Sequence, residues 1–460
     1  MLLAESGPRV RLLRSASMQR RDFLKLAATP LLAASERRPN ILFVFPDQLR
    51  YDWTGLNTKL PLRTPNLNRL AAGGTTFTRN VVASPLCAPS RACLASGREY
   101  DRCGTPSNQT NFPRDIPTFY SQLRSSGYHV LGCGKFDLAK EENDQGLDGK
   151  RHLDDWGFSD GINNAGKHDA MRGAVKPRDP YMAYLHQRHL AEVHVRDFEK
   201  RKGYNATFPT DLPEDAYCDN WLARNGLSLI DSVPSGKPWF LQVNFTGPHP
   251  PMDITRQMDA ACRGRDFPQP LGCKQFTPEV HVAIRQNYSA MIENIDRWLG
   301  TFTDALKRRG ELDNTLIVFS SDHGEMLGDH NLWGKTKPHQ PSIGVPLIAA
   351  GPGVAKEKTS DALVSSIDIG ATFLDYAGAK KAPGMESRSF RAVLEGHAKQ
   401  HRDYVLSGLG EWRLVCDNRY KYIRGYEEKP MLFDLERDPL ELRNIAEDAP
   451  REAARLAKLL

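Results

Sequence analysis

Residues 87–91, CAPSR, combine a thiol with an arginine and with a proline that can begin a helix. Pro89 fits the first turn of a helix, because the backbone N–H that proline lacks would have no helical partner there. Cys87 is therefore predicted to lie at a helix N-terminus, where free N–H groups and the helix dipole favour an anion. A buried thiol and a disulfide are the simpler interpretations of Cys87. A cysteine phosphatase loop is a poorer match, since its arginine position holds Cys93.

A second set of candidate residues follows a predicted strand. Residues 41–45, ILFVF, form a continuous apolar run of strand length, which is typical of a parallel strand buried on both faces. Asp47 and Gln48 come soon after it. Ligands of open α/β sheets bind beyond the carboxyl ends of the strands, and carboxylate and amide oxygens both bind hard cations. The pair is therefore placed to hold a metal, although alone it also fits an ordinary loop.

Three more apolar runs, at residues 128–131, 238–245 and 315–320, lead to polar or basic side chains. The candidates that follow them are Lys135, Asp137, His249, Asp322 and His323. A long helix is predicted over residues 278–309, because its apolar side chains recur every three or four residues. From Tyr404 onwards, short apolar runs predict antiparallel strands.

Residues 87–98 as a whole, CAPSRACLASGR, resemble the signature of the sulfatase family. Further matches run from Ile41 to Ala446, and they include residues 64–70 (TPNLNRL), 247–251 (GPHPP), 321–325 (SDHGE), 332–335 (LWGK) and 437–441 (RDPLE). The resemblance implies an alkaline-phosphatase-like α/β fold, with a mixed sheet sandwiched by helices over residues 36–380. It also implies a small C-terminal antiparallel-sheet subdomain over residues 381–460.

The resemblance implies that Cys87 is oxidised after translation to formylglycine by a formylglycine-generating enzyme. One hydroxyl of the hydrated aldehyde attacks sulfur, and loss of a proton from the other then expels sulfate. Arg91, Lys135 and Lys335 are expected to offset negative charge in the transition state. His249 is expected to protonate the leaving alcohol.

The same resemblance implies one divalent cation in the site. Its expected ligands are Asp47, Gln48, the modified Cys87, Asp322 and His323. A set made mostly of oxygen donors favours Ca²⁺, and the single histidine also admits Mg²⁺ or Mn²⁺.

Several positions depart from the family pattern. Gln48 stands where most sulfatases have aspartate, and a glutamine there is similar to the phosphonate monoester hydrolase branch of the same superfamily. Asp137 stands where histidine is usual. It is expected to act in substrate binding by accepting a hydrogen bond from a hydroxyl of the formylglycine hydrate. Further along the chain, His339, Gln340 and Gly344 replace residues on the leaving-group side.

These observations predict hydrolysis of sulfate monoesters, with a sulfated sugar or glycan as the expected substrate. One alternative is a phosphonate monoester or phosphodiester hydrolase on the same fold, which Gln48 favours. Another is a catalytically silent protein that binds sulfated glycans. Residues 139–235 are rich in basic side chains, which suits either an insertion that faces an anionic sugar or a solvated helix face at residues 181–200.

Residues 20–25, RRDFLK, and the apolar stretch after them resemble a twin-arginine export signal, and a disordered basic N-terminus is the alternative. The signal is predicted over residues 1–35, which implies export to the periplasm or the exterior of a bacterial cell. Those residues carry four of the six net positive charges, so the rest gives no electrostatic case for binding nucleic acid. No apolar run is long enough to span a bilayer. Among the eight cysteines, Cys262 and Cys273 either pair in an oxidising compartment or stay reduced.

Overall fold

The central strands of the main sheet are continuous apolar runs, as the sequence predicts. The first of them, β1 (Asn40–Val44), is buried along its whole length. Leu42 and Val44 pack into the core on one face of the sheet, whereas Ile41 and Phe43 pack into the core on the other. The predicted strand that is buried on both faces is therefore confirmed.

The computed structural model of the protein describes residue 7 and residues 38–460, so the predicted export signal lies outside the described residues apart from residue 7. The further strands are β2 (Gly74–Phe77), β3 (Asn80–Val81), β4 (His129–Gly134), β5 (Asp160–Asn163), β6 (Trp239–Asn244), β7 (Thr315–Phe319), β8 (Leu347–Ala350), β9 (Lys358–Ser360), β10 (Val364–Ser365), β11 (Tyr404–Leu409), β12 (Trp412–Asp417), β13 (Tyr420–Arg424) and β14 (Met431–Asp434).

The helices are α1 (Pro65–Ala72), α2 (Cys87–Ser96), α3 (Phe119–Ser125), α4 (Leu153–Trp156), α5 (Gly166–Asp169), α6 (Pro180–Gln187), α7 (Ala191–Lys200), α8 (Cys218–Asp231), α9 (Arg256–Cys262), α10 (Pro278–Arg308), α11 (Gln340–Ile343), α12 (Asp368–Tyr376), α13 (Arg391–Leu394) and α14 (Pro450–Ala457). Single 3₁₀ turns lie at Tyr100–Arg102, Ala170–Gly173, Glu214–Ala216, Leu312–Asn314 and Asp329–Asn331.

The main sheet is mixed, and its eight strands follow the order β5-β4-β6-β1-β7-β8-β2-β9. All neighbouring pairs are parallel except those that β8 makes with β7 and β2. The carboxyl ends of β4, β6, β1 and β7 therefore meet side by side along one edge. Ligands bind at this kind of edge in α/β proteins, and the loops that carry Asp47, Lys135, His249 and Asp322 begin there.

Helices cover both faces of the sheet. The long helix α10 packs Tyr288, Ile295 and Phe302 into one core, and its bounds confirm the helix predicted over residues 278–309. On the other face, α3 and α12 contribute Phe119 and Phe373 to the second core.

The C-terminal strands β11 to β14 form an antiparallel meander in chain order, which confirms the predicted small sheet. Trp412 and Phe433 on one of its faces share a core with Val82. The segment 383–397, between the main sheet and the small sheet in sequence, is part of the packing. It includes α13. The apolar side chains of Phe390 and Val393 are buried in the second core.

The predicted helix face at residues 181–200 is two helices, α6 and α7. The chain turns between them at His189, which has a φ of 56°. Among the described residues, no helix is both long enough and apolar enough to cross a membrane. All eight cysteines lie in the described part of the chain, and none forms a disulfide. Cys262 Sγ donates instead to the carbonyl of Gln286 at 3.3 Å, so Cys262 and Cys273 are reduced here.

Candidate active site

Four predicted ligands meet at the carboxyl edge of the main sheet. Asp47 follows β1, Cys87 begins α2, and Asp322 with His323 follows β7. One ligand atom from each lies within 4.8 Å of every other, and all four side chains are buried. The structure therefore brings these distant segments together at one place.

The cluster fits a divalent cation. Asp47 Oδ1 is buried without a hydrogen-bond partner and lies 3.7 Å from His323 Nε2. A buried carboxylate oxygen without a partner is costly, and a cation would remove that cost. His323 Nδ1 lies 3.1 Å from the carbonyl oxygen of Gly324. Because a carbonyl only accepts, Nδ1 carries the proton and Nε2 keeps a lone pair toward the cluster.

Gln48 adds an amide oxygen to this set. Its backbone N–H donates to Asp322 Oδ1 at 2.9 Å, and its φ of 68° turns the chain sharply after Asp47. Its side-chain Oε1 accepts a hydrogen bond of 2.8 Å from Lys335 Nζ. The oxygen of Gln48 therefore faces the site, as a ligand should.

Arg91 lies beneath the cluster and holds its two carboxylates. Its Nε donates to Asp322 Oδ2 at 2.9 Å, and its Nη2 donates to Asp47 Oδ2 at 3.3 Å. Burial raises the pKa of Asp47, but Lys135 and the other nearby cations outweigh it and hold that pKa well below its usual range. The hydrogen bonds and the positive charge of Arg91 therefore hold the carboxylates of Asp322 and Asp47 in position.

Cys87 lies between the ammonium group of Lys335 and the imidazole of His323. Its Sγ lies 3.0 Å from Lys335 Nζ and 3.4 Å from His323 Nε2. Burial and Asp47 raise the pKa of Cys87, but Lys135 and Lys335 outweigh them and hold it well below its ordinary value. An anion is therefore stabilised at the position of this sulfur.

Lys335 also contacts His249, whose Nε2 lies 2.6 Å from Lys335 Nζ. The Nδ1 of His249 donates a short hydrogen bond to the Pro250 carbonyl, so Nε2 is the acceptor and Lys335 carries the proton between them. Burial lowers the pKa of His249, and Lys335 lowers it further. The imidazole is therefore neutral at rest.

Lys135 and Asp137 belong to a chain of ion pairs. Lys135 Nζ lies 2.8 Å from Asp137 Oδ2, which lies 2.9 Å from Lys140 Nζ, and Lys140 lies 2.6 Å from Asp169 Oδ2. Lys135 also makes a short contact with Asp47 Oδ2. Asp137 is predicted to act in substrate binding, and its carboxylate pairs with the ammonium groups of Lys135 and Lys140.

A cavity of about 210 Å³ lies above the cluster. The predicted residues Asp47, Cys87, Lys135, His249 and Lys335 all line it. The sequence did not indicate Asn108 and Lys140, which also line this cavity. The side-chain oxygen of Asn108 accepts a hydrogen bond of 3.0 Å from the backbone N–H of Ala88 in the first turn of α2.

Residues 39–379 match the sequence profile of the sulfatase family, which is most of the chain. The chain belongs to the sulfatase family. Residues 328–459 of the sulfatase also match a profile described as the C-terminal part of N-sulphoglucosamine sulphohydrolase.

The comparison with individual proteins agrees. An arylsulfatase of Clostridium perfringens is 27% identical over 446 residues, covering 89% of this sulfatase and 90% of that protein. A choline-sulfatase of Rhizobium meliloti is 28% identical over 445 residues, with coverage of 89% and 83%. The solved phosphonate monoester hydrolase of Agrobacterium radiobacter has a TM-score of 0.77 at 25% identity, with coverage of 92% and 94%. The sulfatase therefore has the predicted alkaline-phosphatase-like fold.

A second cavity of the sulfatase, of about 480 Å³, shares His168 and His249 with the first. Its wall includes Phe198, Tyr204 and Pro250. Most of the basic side chains of the polar segment face solvent instead: Arg172, Lys176, Arg178, Arg188, His189 and Arg196 are exposed. Of these, Arg188, His189 and Arg196 lie within residues 181–200, and their exposure agrees with the solvated-face interpretation.

Proposed function

We propose that this sulfatase hydrolyses sulfate monoesters and that its nucleophile is a formylglycine formed from Cys87. The observation that carries the proposal is the position of Cys87 Sγ at the start of α2, 3.0 Å from Lys335 Nζ and beside the acidic cluster. A hydrated aldehyde at residue 87 would supply one hydroxyl to attack sulfur and a second whose deprotonation releases sulfate. The cations around this position suit the charge of a sulfate ester.

A divalent cation fits beside the nucleophile. Asp47, Gln48, Asp322 and His323 would hold it together with residue 87. It would supply positive charge to the transferred group and lower the pKa of the attacking hydroxyl. The oxygen donors in this set favour Ca²⁺, with Mg²⁺ and Mn²⁺ as alternatives.

The lysines that line the cavity can donate hydrogen bonds to the transferred group. An ammonium group carries three protons, and Lys135 directs two of them at Asp47 and Asp137. The third is free for a sulfate oxygen. Lys335 contacts the nucleophile and His249 together, so the proton for the leaving alcohol comes from this pair. Lys335 is its protonated member at rest, and His249 passes the proton on.

The leaving group would extend past His249 into the second cavity. Phe198, Tyr204 and Pro250 give that cavity flat apolar walls, which suit the face of a ring. A sulfated sugar is the substrate that the sequence motifs favour, and the match to an N-sulphoglucosamine sulphohydrolase profile supports it.

A second candidate is hydrolysis of a phosphonate monoester or phosphodiester. Gln48 favours it, because an amide makes the metal site less negative and reduces the repulsion of a more highly charged phosphoryl group. The likeness to a solved phosphonate monoester hydrolase gives further support. A catalytically silent protein that binds sulfated glycans is the third candidate, and it would keep Cys87 unmodified.

Export to the periplasm or beyond stays a prediction from residues 20–25, which lie outside the described residues. The proposal also requires a formylglycine-generating enzyme as a partner, and this enzyme must act on the Cys87 segment before α2 is buried. Cys87 is only 1% exposed in the folded chain, so modification should precede folding.

The mass of the tryptic peptide that contains Cys87 tests the proposal. Protein from cells with a formylglycine-generating enzyme should show the aldehyde or its hydrate, and Cys87→Ala should abolish hydrolysis without unfolding the chain. Cysteine throughout, in a protein that still hydrolyses sulfate esters, would contradict the proposed nucleophile. Unmodified and inactive protein would instead support the silent binding protein.

Elemental analysis tests the metal site separately. Wild-type protein should hold about one divalent ion per chain, and Asp322→Asn should lose both the ion and the activity. Asp313→Asn is the control, since Asp313 is an exposed aspartate in a 3₁₀ turn before β7. Full activity of metal-free protein would refute the site.

A further inference from the structure

Glu325 is a fully buried carboxylate two residues beyond His323. Its Oε1 accepts hydrogen bonds from the backbone N–H groups of Leu327 at 3.0 Å and Gly334 at 2.6 Å. Its Oε2 accepts one from Tyr204 Oη at 3.0 Å and a short one from Gln48 Nε2. The carboxylate is therefore held by donors on every side.

We propose that Glu325 is a positioning residue that fixes which end of the Gln48 amide faces the cation. An ionised carboxylate can only accept hydrogen bonds, so it binds the NH₂ end of Gln48. The oxygen end must then point the other way, where it lies 2.8 Å from Lys335 Nζ. This inference rests on the proposed metal site.

The opposite orientation of the amide is excluded by charge. It would place Gln48 Oε1 against Glu325 Oε2, so that two acceptors faced each other. It would also turn the NH₂ group toward the ammonium of Lys335 and toward the cation site, where only an acceptor is useful. Both ends of the side chain would lose their partners, and a cation would lose one ligand.

The contact also strengthens the ligand. Gln48 is neutral. The NH₂ group of its amide donates to Glu325, and its amide oxygen accepts from Lys335. A hydrogen bond from the NH₂ group to an anion polarises the amide and makes its oxygen a better donor to a cation. Glu325 thus brings negative charge to the cation through Gln48 without touching the cation.

The test is a calorimetric titration of metal-free protein with Ca²⁺, which needs no turnover. Glu325→Gln lets the Gln48 amide bond in either orientation, so we expect Ca²⁺ affinity to fall by about 10- to 100-fold, the usual effect of losing a residue that orients a ligand. Tyr204→Phe is the matched control. It removes another donor to Glu325 and leaves the Gln48 contact, so its affinity should stay within about threefold of wild type.

A double variant separates positioning from general damage. Gln48→Glu combined with Glu325→Gln exchanges the carboxylate and the amide, so that the NH₂ group of residue 325 donates to residue 48 and an acceptor again faces the cation. We expect this double variant to bind Ca²⁺ at least as tightly as wild type. It also serves if Glu325→Gln alone does not fold.

Three results would count against the inference. Unchanged affinity in Glu325→Gln would overturn it alone, as would a double variant that binds no better than Glu325→Gln. A wild-type protein that binds no divalent cation would remove the proposed metal site and this inference together.

Discussion

The Nζ atom of Lys335 lies 3.0 Å from the Sγ atom of Cys87. The same ammonium group contacts Gln48 and His249, so it links the proposed nucleophile, a proposed metal ligand and the residue proposed to serve the leaving group. Replacing Lys335 by methionine should therefore lower kcat/KM for an aryl sulfate by about 10² to 10³, the loss typical of a preorganised charge-stabilising donor.

The neighbouring variant Lys337→Met provides the control for Lys335→Met. Lys337 is two residues away and does not line the catalytic cavity, so its removal should leave kcat/KM near the wild-type value. If Lys335→Met also kept kcat/KM within threefold of wild type, Lys335 would have no part in the reaction.

Asp137 joins the ammonium groups of Lys135 and Lys140 through one carboxylate oxygen. Asp137→Asn would leave two buried cations close together without their shared anion, and Lys135 would move from its position near the proposed nucleophile, Cys87. We expect kcat/KM to fall by about 10², because small misplacements of catalytic groups have effects of that size.

Asp169→Asn is the comparison for Asp137→Asn, because Asp169 pairs with Lys140 and leaves Lys135 untouched. Its loss of kcat/KM should be clearly smaller when both variants are assayed side by side. A larger loss for Asp169→Asn would show that Lys140, and not Lys135, is the group that Asp137 serves.

Much of this site could be predicted from the sequence, because its residues follow strands that are recognisable as apolar runs. Asp47 and Asp322 come after β1 and β7, which are neighbours in the sheet, so the rule that ligands bind at carboxyl ends was sufficient to bring them together. Pro89 likewise indicated the start of α2 and placed Cys87 at its N-terminus.

The remaining residues depend on loop conformation, for which the sequence carries no periodic signal. Lys140 reaches the cavity because the chain turns at Asp137, which has a φ of 55°. Tyr204 lies in the polar segment at residues 139–235, where the sequence gives little indication of strands and helices. Glu325 stood within a recognised motif, but its contact with Gln48 joins residues 277 positions apart, and only the fold shows it.

Glu99 provides a prediction about pH. Burial raises its pKa from 4.5 to about 7, although Arg402 opposes the rise. The folded state therefore holds a proton that the unfolded state has released between those two values, and the free energy of unfolding falls as pH rises from about 4.5 to about 7. Glu99→Gln removes this loss and should raise the free energy of unfolding at pH 8 by up to about 3 kcal/mol.

Urea denaturation of wild type and Glu99→Gln at pH 8 and at pH 5 checks the sign. The difference should be largest at pH 8 and much smaller at pH 5, because pH 5 lies only just above the ordinary pKa of 4.5 and Glu99 is still protonated in the folded wild type. A variant that is less stable than wild type at pH 8 would mean that the Glu99 carboxylate is ionised and stabilising in the fold.

The choice between sulfur and phosphorus esters tests the account most directly. The measurement is kcat/KM for one aryl leaving group carried in turn as a sulfate, a phosphodiester and a phosphonate monoester. Gln48 makes the cation site less negative, which helps phosphoryl substrates, whereas the signature at residues 87–98, the two lysines Lys135 and Lys335, and His249 all match the sulfatase pattern. We therefore predict that the sulfate ester reacts fastest and that the phosphorus esters are weaker side substrates. A phosphorus ester preferred by more than tenfold, about 1.4 kcal/mol of barrier, would contradict the assignment as a sulfate ester hydrolase.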